Sequence, residues 1–292
     1  MSFGEDISPL PSEAEALDYV RFKWPEAEWK DVERIGAAEL LRVKRQEELC
    51  VQCRESESRL CSGNRFLSSL IREERGGQAF YTLAAHPCPI KRLKSLIANS
   101  GLTANQRTQN FQTYRTDGLS AGVKRAKGLA MRAAEDGSWL ILAGLRGTGK
   151  SHLAAAIMHE VMKRGEQALF RLVPEMLDDL RKGYDDGSHD RQMKTLKTVP
   201  CLVLDDLGKE RNTDAGYDYL YQIVDARYRS RRQTVITTNA MSREQLIGWG
   251  RADIFEPILS RVEELGVWFC IRDAEDYRIR LGNLRNGKEV GA

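Results

Sequence analysis

The sequence predicts an α/β protein: a parallel five-stranded sheet between helices, preceded by a small helical, zinc-binding N-terminal domain. Three observations lead there. From Ser138 onward, five apolar runs (WLILAG, ALFRLV, CLVLDD, TVITTN and GVWFCI) alternate with helical stretches. Continuous apolar strands separated by helices form a sheet covered on both faces. A glycine-rich loop, GLRGTGKS, lies between the first of these strands and the helix after it. Finally, four of the six cysteines, Cys50, Cys53, Cys61 and Cys88, fall in the first third of the 292 residues.

In chain order, MSFGEDISPLPSEAEAL lacks the basic and apolar regions of a secretory leader. No apolar run reaches the roughly 18 residues of a membrane span, so no membrane partner and a cytoplasmic location are expected. Pro11 to Glu48 is helical in pattern, with Ser12 and Glu15 at capping-box spacing and an interruption at Pro25. Between Cys50 and Pro89 the text reads as irregular, punctuated by Gly63, Gly76, Gly77, Pro87 and Pro89. The expected organisation is an N-terminal domain over 1–92, a linker over 93–120 and a nucleotide-binding domain over 121–292.

In a reducing compartment a cysteine cluster ligates metal more readily than it forms disulfides. Cys50-x-x-Cys53 has the spacing at which two thiolates reach one tetrahedral ion. Cys61 supplies a third ligand, and either Cys88 or His86 a fourth, for Zn²⁺; an iron–sulfur cluster is the alternative. Cys201 and Cys270 lie inside apolar runs and read as buried hydrophobes.

Gly144, Leu145, Arg146, Gly147, Thr148, Gly149, Lys150 and Ser151 satisfy G-x-x-x-x-G-K-[ST] in full, in the required strand–loop–helix context. Glycines let backbone N–H groups point at phosphate oxygens, and the following helix adds its positive end. Lys150 is expected to reach the β- and γ-phosphates of ATP, and Ser151 to ligate Mg²⁺. The strand CLVLDD ends in two carboxylates about 55 residues later. Asp205 is expected to hold Mg²⁺ and Asp206 to orient and polarise the attacking water. Asn239, ending TVITTN, is a third polar group for the water or γ-phosphate, or an ordinary turn residue.

These elements, with GTGKSHLA, VLDDLG, VITTN and ILSRVEELGVWFCIRDAEDYR, resemble the AAA+ ATPases of the DnaC/DnaI/IstB group over about Phe111 to Arg280. The resemblance implies that Arg261 is an arginine finger acting in trans, and that Arg278 and Asn239 are the sensor-2 and sensor-1 residues. Sequence alone favours a different reading of Arg261, a surface salt-bridge partner of Glu263 or Glu264. The Asp-Asp pair, shared with the loader branch, goes with slow, assembly-dependent ATP hydrolysis.

Within that group the cysteine-bearing N-terminus is most similar to DnaI-type loaders. That implies a partnership with a hexameric replicative DNA helicase, delivery to single-stranded DNA, and self-assembly. The alternative is an IstB-like transposition helper that binds DNA and recruits a transposase. Arg107, Arg115, Lys124, Arg125 and Lys127, with Phe111 and Tyr114 among them, are candidate DNA contacts or a solvated linker. Arg227, Arg229, Arg231 and Arg232 are DNA contacts or cations at a helix C-terminus.

Overall fold

The computed structural model describes residues 12–55, 66–116, 119–208, 214–249 and 252–273. The chain separates into two compact units, Met1–Lys94 and Ser95–Ala292.

In the first unit, α1 (Glu13–Lys23) begins where the Ser12 hydroxyl accepts from the Glu15 N–H at 3.1 Å. A short α2 (Trp29–Val32) follows Pro25, and α3 (Ala37–Glu55) starts after Gly36, whose φ of +82° breaks the helical path. The stretch read from sequence as irregular instead contains a long antiparallel hairpin, β1 (Phe66–Arg75) and β2 (Gln78–Pro87). Its two-residue turn is Gly76-Gly77, both at positive φ, which matches the twist of the strands it joins. Tyr19, Val20, Leu40, Leu41, Val43, Leu70 and Tyr81 form the core, with Trp24 edge-on to Tyr81 at 5.5 Å.

Helix α4 (Pro89–Ala98) leads into the second unit. There α5 (Ala121–Asp136) precedes β3 (Trp139–Gly144), α6 (Lys150–Lys163) and β4 (Ala168–Leu172). Next come α7 (Val173–Asp186), α8 (His189–Thr198), β5 (Cys201–Leu207), α9 (Asp214–Arg229) and β6 (Gln233–Thr238). The last elements are α10 (Arg243–Trp249), α11 (Ala252–Leu265) and β7 (Gly266–Ile271).

All five strands of the second sheet run parallel in the order β4-β5-β6-β3-β7. β6 is thus central and β3 lies beside it, between β6 and β7, and every residue of β3 and β6 is buried. Small residues on α6, Ala154, Ala155 and Ala156, all fully buried, let that helix lie close on the sheet. A second apolar layer from α7, α8, α9 and α11 covers the other side, including Leu177, Leu180, Leu220, Ile223, Phe255 and Leu259. No helix among the described residues is long and apolar enough to cross a membrane.

Residues 95–116, part of the stretch read as a linker, pack within this second unit. The Ser100 carbonyl accepts from the Phe170 N–H at 2.7 Å on the outer edge of β4, and Leu102 and Tyr114 are buried. Arg107 donates to the Leu102 carbonyl and Lys127 to the Tyr114 carbonyl, while Arg125 lies over the Phe269 ring at 5.4 Å. These cations have intramolecular partners.

Arg227 differs from the expectation for a surface cation more sharply. Its guanidinium is fully buried and donates to Thr234 Oγ1 (2.9 Å) and to the carbonyls of Leu196 (2.9 Å), Val199 (2.8 Å), Pro200 (3.3 Å) and Gln233. Its planar fork gathers the end of α8 and the start of β6 around α9. Arg227 is therefore a structural clamp and leaves the set of DNA candidates.

Candidate functional site

The phosphate loop joins the interior strand β3 to α6, so its geometry is set by what flanks it. Gly144 has φ +137°, and a methyl there would stand 2.6 Å from the Ile271 carbonyl oxygen of neighbouring β7. Gly149 has φ +86° as the residue before α6, and a methyl there would meet Tyr114 Cε2 at 2.6 Å. The Tyr114 hydroxyl donates to the Thr148 carbonyl at 3.3 Å, and its ring stands edge-on to His152 at 5.1 Å. His152 Nε2 is 3.2 Å from Thr113 Oγ1 and 3.0 Å from the Asn110 carbonyl. Burial is the main cause holding the imidazole pKa below its ordinary value. Residues 110–114 thus brace the loop. The Thr148 hydroxyl closes a turn onto the Leu145 carbonyl at 2.9 Å, while Leu145 and Arg146 remain exposed.

Two hydrogen-bonded chains run from this loop to the ends of β5 and β6. In the first, buried Lys150 donates to the Gly144 and Leu145 carbonyls, both at 2.8 Å, and to Asn239 Oδ1 at 3.1 Å. Asn239 Nδ2 in turn donates to Asp206 Oδ1 at 2.9 Å. In the second, Ser151 Oγ donates to Asp205 Oδ1 at 2.8 Å, and Thr237 Oγ1 donates to the same oxygen at 2.6 Å. Lys150, Ser151, Asp205, Asp206 and Asn239 are brought together as the sequence reading requires.

Burial raises the Asp205 pKa; the hydrogen bonds from Thr237 and Ser151 oppose it. Paired hard oxygen donors, one anionic, at the mouth of a phosphate loop suit Mg²⁺, whose charge favours the ionised carboxylate. Ser151 and Asp205 are the residues to hold it.

Among the described residues, Asp206 is one of two non-glycine residues with positive φ, at +63°. It follows an irregularity in the β5–β6 ladder, where Leu204 pairs Ile236 but Leu207 pairs Thr238. Asp205 and Asp206 therefore oppose Thr237 alone, a bulge that re-aims side chains at the strand end. Left-handed backbone at a non-glycine residue costs about 1–3 kcal/mol and persists where surrounding structure imposes it. Here the Asp206 N–H donates to Thr237 Oγ1 at 3.0 Å. Sequence reasoning selects Asn239 at this strand end and misses Thr237; the available signal was two adjacent threonines following Val235 and Ile236 at the end of a fully buried strand.

Arg261 lies on α11 and points at α9. It donates to Asp225 Oδ1 at 2.7 Å, to the Tyr221 hydroxyl at 3.2 Å and to the Pro257 carbonyl at 3.0 Å. Its guanidinium lies 5.2 and 5.3 Å from the Tyr221 and Tyr228 ring centroids. Neither glutamate expected from sequence is its partner: Glu263 pairs with Arg243 at 2.9 Å, and Glu264 accepts from Tyr228 at 2.5 Å. Arg278 lies outside the described residues.

In the first unit, Cys50 on α3 packs against buried Cys88 beside Ile90. Residues 50 and 53 lie on the same α-helix rather than in a knuckle loop, three residues apart and hence on one face. Cys61 lies outside the described residues, as do the side chains of Cys53 and His86. Among the described residues no group of three or more potential ligands is arranged around a metal. Of the four ligands expected from sequence, Cys50 and Cys88 are the two with described side chains, and they adjoin each other.

Comparison with known proteins agrees with this geometry. The family model described as IstB-like ATP binding protein matches residues 53–278. The protein YdaV of Escherichia coli K12 is 32% identical over 151 residues, 51% of this chain and 61% of YdaV, so the chain spans less than two thirds of that relative. The replicative helicase loader DnaC of the same strain is 26% identical over 204 residues, 68% of this chain and 79% of DnaC. The crystal structure of DnaI superposes with a TM-score of 0.52 at 26% identity, covering 58% of this chain and 94% of that one.

Proposed function

Because the chain belongs to the IstB-like ATP-binding protein family and has the AAA+ P-loop fold, we propose that it is an ATP-hydrolysing loader for a hexameric replicative DNA helicase. In this reading it acts in the cytoplasm and delivers the helicase to single-stranded DNA. The observation that carries hydrolysis is the pair of chains Lys150–Asn239–Asp206 and Ser151–Asp205–Thr237. They put a cation for the phosphates, an oxygen pair for Mg²⁺ and a second carboxylate at one loop. Mg²⁺, when bound, neutralises phosphate charge. Asp206, aimed by Asn239, orients the attacking water.

Similarity to DnaC supports the choice of partner, as does a separate N-terminal unit of helices and a hairpin, which is the surface proposed to grip the helicase. Cys50, Cys53 and Cys61 would be three ligands of a structural Zn²⁺ in that unit, with Cys88, which adjoins Cys50, or else His86 as the fourth. The proposed functional division remains 1–92, 93–120 and 121–292. The family model favours one alternative, an IstB-like helper that recruits a transposase to DNA.

Native mass spectrometry of the chain with its cognate helicase, with and without ATP, tests this reading. A complex containing a helicase hexamer, lost on deletion of residues 1–92, is the expected result; the mass of the chain alone should include one zinc. No complex under any nucleotide condition shifts the assignment to the transposase helper, and a metal-free mass removes the zinc centre.

Arg261 is proposed to complete the site of a neighbouring subunit, with Arg278 contacting nucleotide within its own. Neutralising charge on the transferring phosphoryl group is worth about 10³-fold in rate. Arg261→Ala should therefore leave ATP affinity unchanged and reduce hydrolysis in assemblies by about that factor. Equal loss of ATP binding would make Arg261 a residue of its own site, and wild-type turnover would reduce it to the α9–α11 ion pair with Asp225.

A further inference from the structure

We propose that Thr237 is a positioning residue for hydrolysis, its single hydroxyl setting both carboxylates of the β5 bulge at once. This deepens the ATPase reading and rests on it.

A bulge leaves one strand with a residue whose N–H has no place in the ladder. Here that residue is half-buried Asp206, and an N–H turned away from water needs a partner within the protein. Thr237, fully enclosed in β6, supplies the missing acceptor through its side chain at 3.0 Å. A hydroxyl has one proton to give as well as lone pairs to offer. Thr237 gives that proton to Asp205 Oδ1 at 2.6 Å. The same oxygen atom of Thr237 therefore fixes the peptide that turns Asp206 into left-handed backbone and the carboxylate that adjoins Ser151.

Valine in this place has the same shape and neither function. The Asp206 amide would be left without its acceptor, and Asp205 would keep Ser151 alone of its two side-chain hydroxyl donors. The turn at Asp206 would lose the contact that over-determines it, and its carboxylate its fixed direction toward Asn239. The next residue serves as an internal control. Thr238 Oγ1 donates to the Leu207 carbonyl at 2.8 Å and accepts from the Ala240 N–H at 3.2 Å. Both of these hydrogen bonds go to backbone groups on the far side of the bulge.

The experiment measures ATP affinity, steady-state hydrolysis and thermal melting of the full chain, with and without single-stranded DNA, for wild type, Thr237→Val, Thr237→Ser and Thr238→Val. Losing a hydrogen-bonding partner behind a metal-site ligand typically lowers activity about 10–100-fold. The expected result is a kcat reduced within that range in Thr237→Val, with ATP affinity within about threefold of wild type, since only the reacting state depends on the carboxylates' aim. Thr237→Ser should restore most of kcat, and Thr238→Val should stay within a few-fold of wild type. If Thr237→Val does not fold, Thr237→Cys gives the same comparison with a weak donor and acceptor of similar size.

Wild-type kcat in the valine or cysteine variant overturns the proposal. So does a serine variant as slow as valine, or a Thr238→Val loss equal to that of Thr237→Val, which would indicate bulge stability alone. A wild-type chain with no turnover under any condition rejects the ATPase reading and this inference with it. Turnover that is indifferent to residue 237 rejects only the inference.

Discussion

Replacing Lys150 by alanine should abolish ATP binding. Three acceptors surround its ammonium group: two loop carbonyls at 2.8 Å and Asn239 at 3.1 Å. The charge therefore sits inside the curve of the loop, where a triphosphate's negative oxygens have to lie. Removing one side of a buried charge pair costs about 2–5 kcal/mol. Around 4 kcal/mol corresponds to roughly 10³-fold in Kd. Calorimetric titration with ATP and Mg²⁺ should show no heat of binding at concentrations that saturate the wild type. Affinity within tenfold of wild type would remove the loop from the nucleotide site. The variant also deprives Asn239 of a contact, so its tie to Asp206 should loosen even without nucleotide.

The second large effect lies outside the site. Arg227→Met should destabilise the second unit by about 3–5 kcal/mol, the usual cost of breaking a buried charged network. Burial lowers the Arg227 pKa to about 10, so the guanidinium stays charged at neutral pH, and five acceptors surround it. Methionine fills much of the volume and satisfies none of the carbonyls of Leu196, Val199, Pro200 and Gln233. Arg227→Lys keeps the charge but lacks the planar fork, so it should recover only part of the loss. Denaturant unfolding, followed by far-ultraviolet circular dichroism, reads the difference. A variant as stable as wild type would mean that water or relaxed backbone replaces the clamp.

The contrast between Lys150 and Arg227 shows what the sequence made legible. Lys150 lies in a motif whose spacing is fixed by phosphate geometry, so strand, loop and helix follow from eight letters. Asp205 and Asp206 were legible because two carboxylates end an apolar strand. Nothing local distinguishes Arg227 from Arg229, two positions later on α9. Arg227 is enclosed by α8 and β6, whereas Arg229 is largely exposed and pairs with Asp225 at 2.5 Å. Helical phase separates them, and which phase faces inward depends on tertiary packing. The partner of Arg261 was hidden for the same reason: Asp225 is 36 positions away and adjoins it only when α9 and α11 pack.

The β1–β2 hairpin was missed for a different reason. Its Gly76-Gly77 pair was available as a turn signal, but the strands beside it, FLSSLIREER and QAFYTLAAHP, carry too little clean alternation to separate from loop. Thr237 was hidden by register. Its role depends on the extra residue in β5 opposite it, and a bulge leaves no mark in the text of either strand.

The order of the sheet has a consequence for how the protein is made. The strand carrying the phosphate loop lies between β6 and β7, and Gly144 closes against Ile271. On a ribosome the loop emerges more than a hundred residues before its second neighbour. The loop-bearing strand β3 therefore waits with one edge open until β7 is synthesised, and long-range parallel pairing is slow to form. Once β7 docks, both edges of that strand are paired and Ile271 stands against the loop. Competence to hold a nucleotide thus becomes a late event in the life of the nascent chain, coupled to completion of β7.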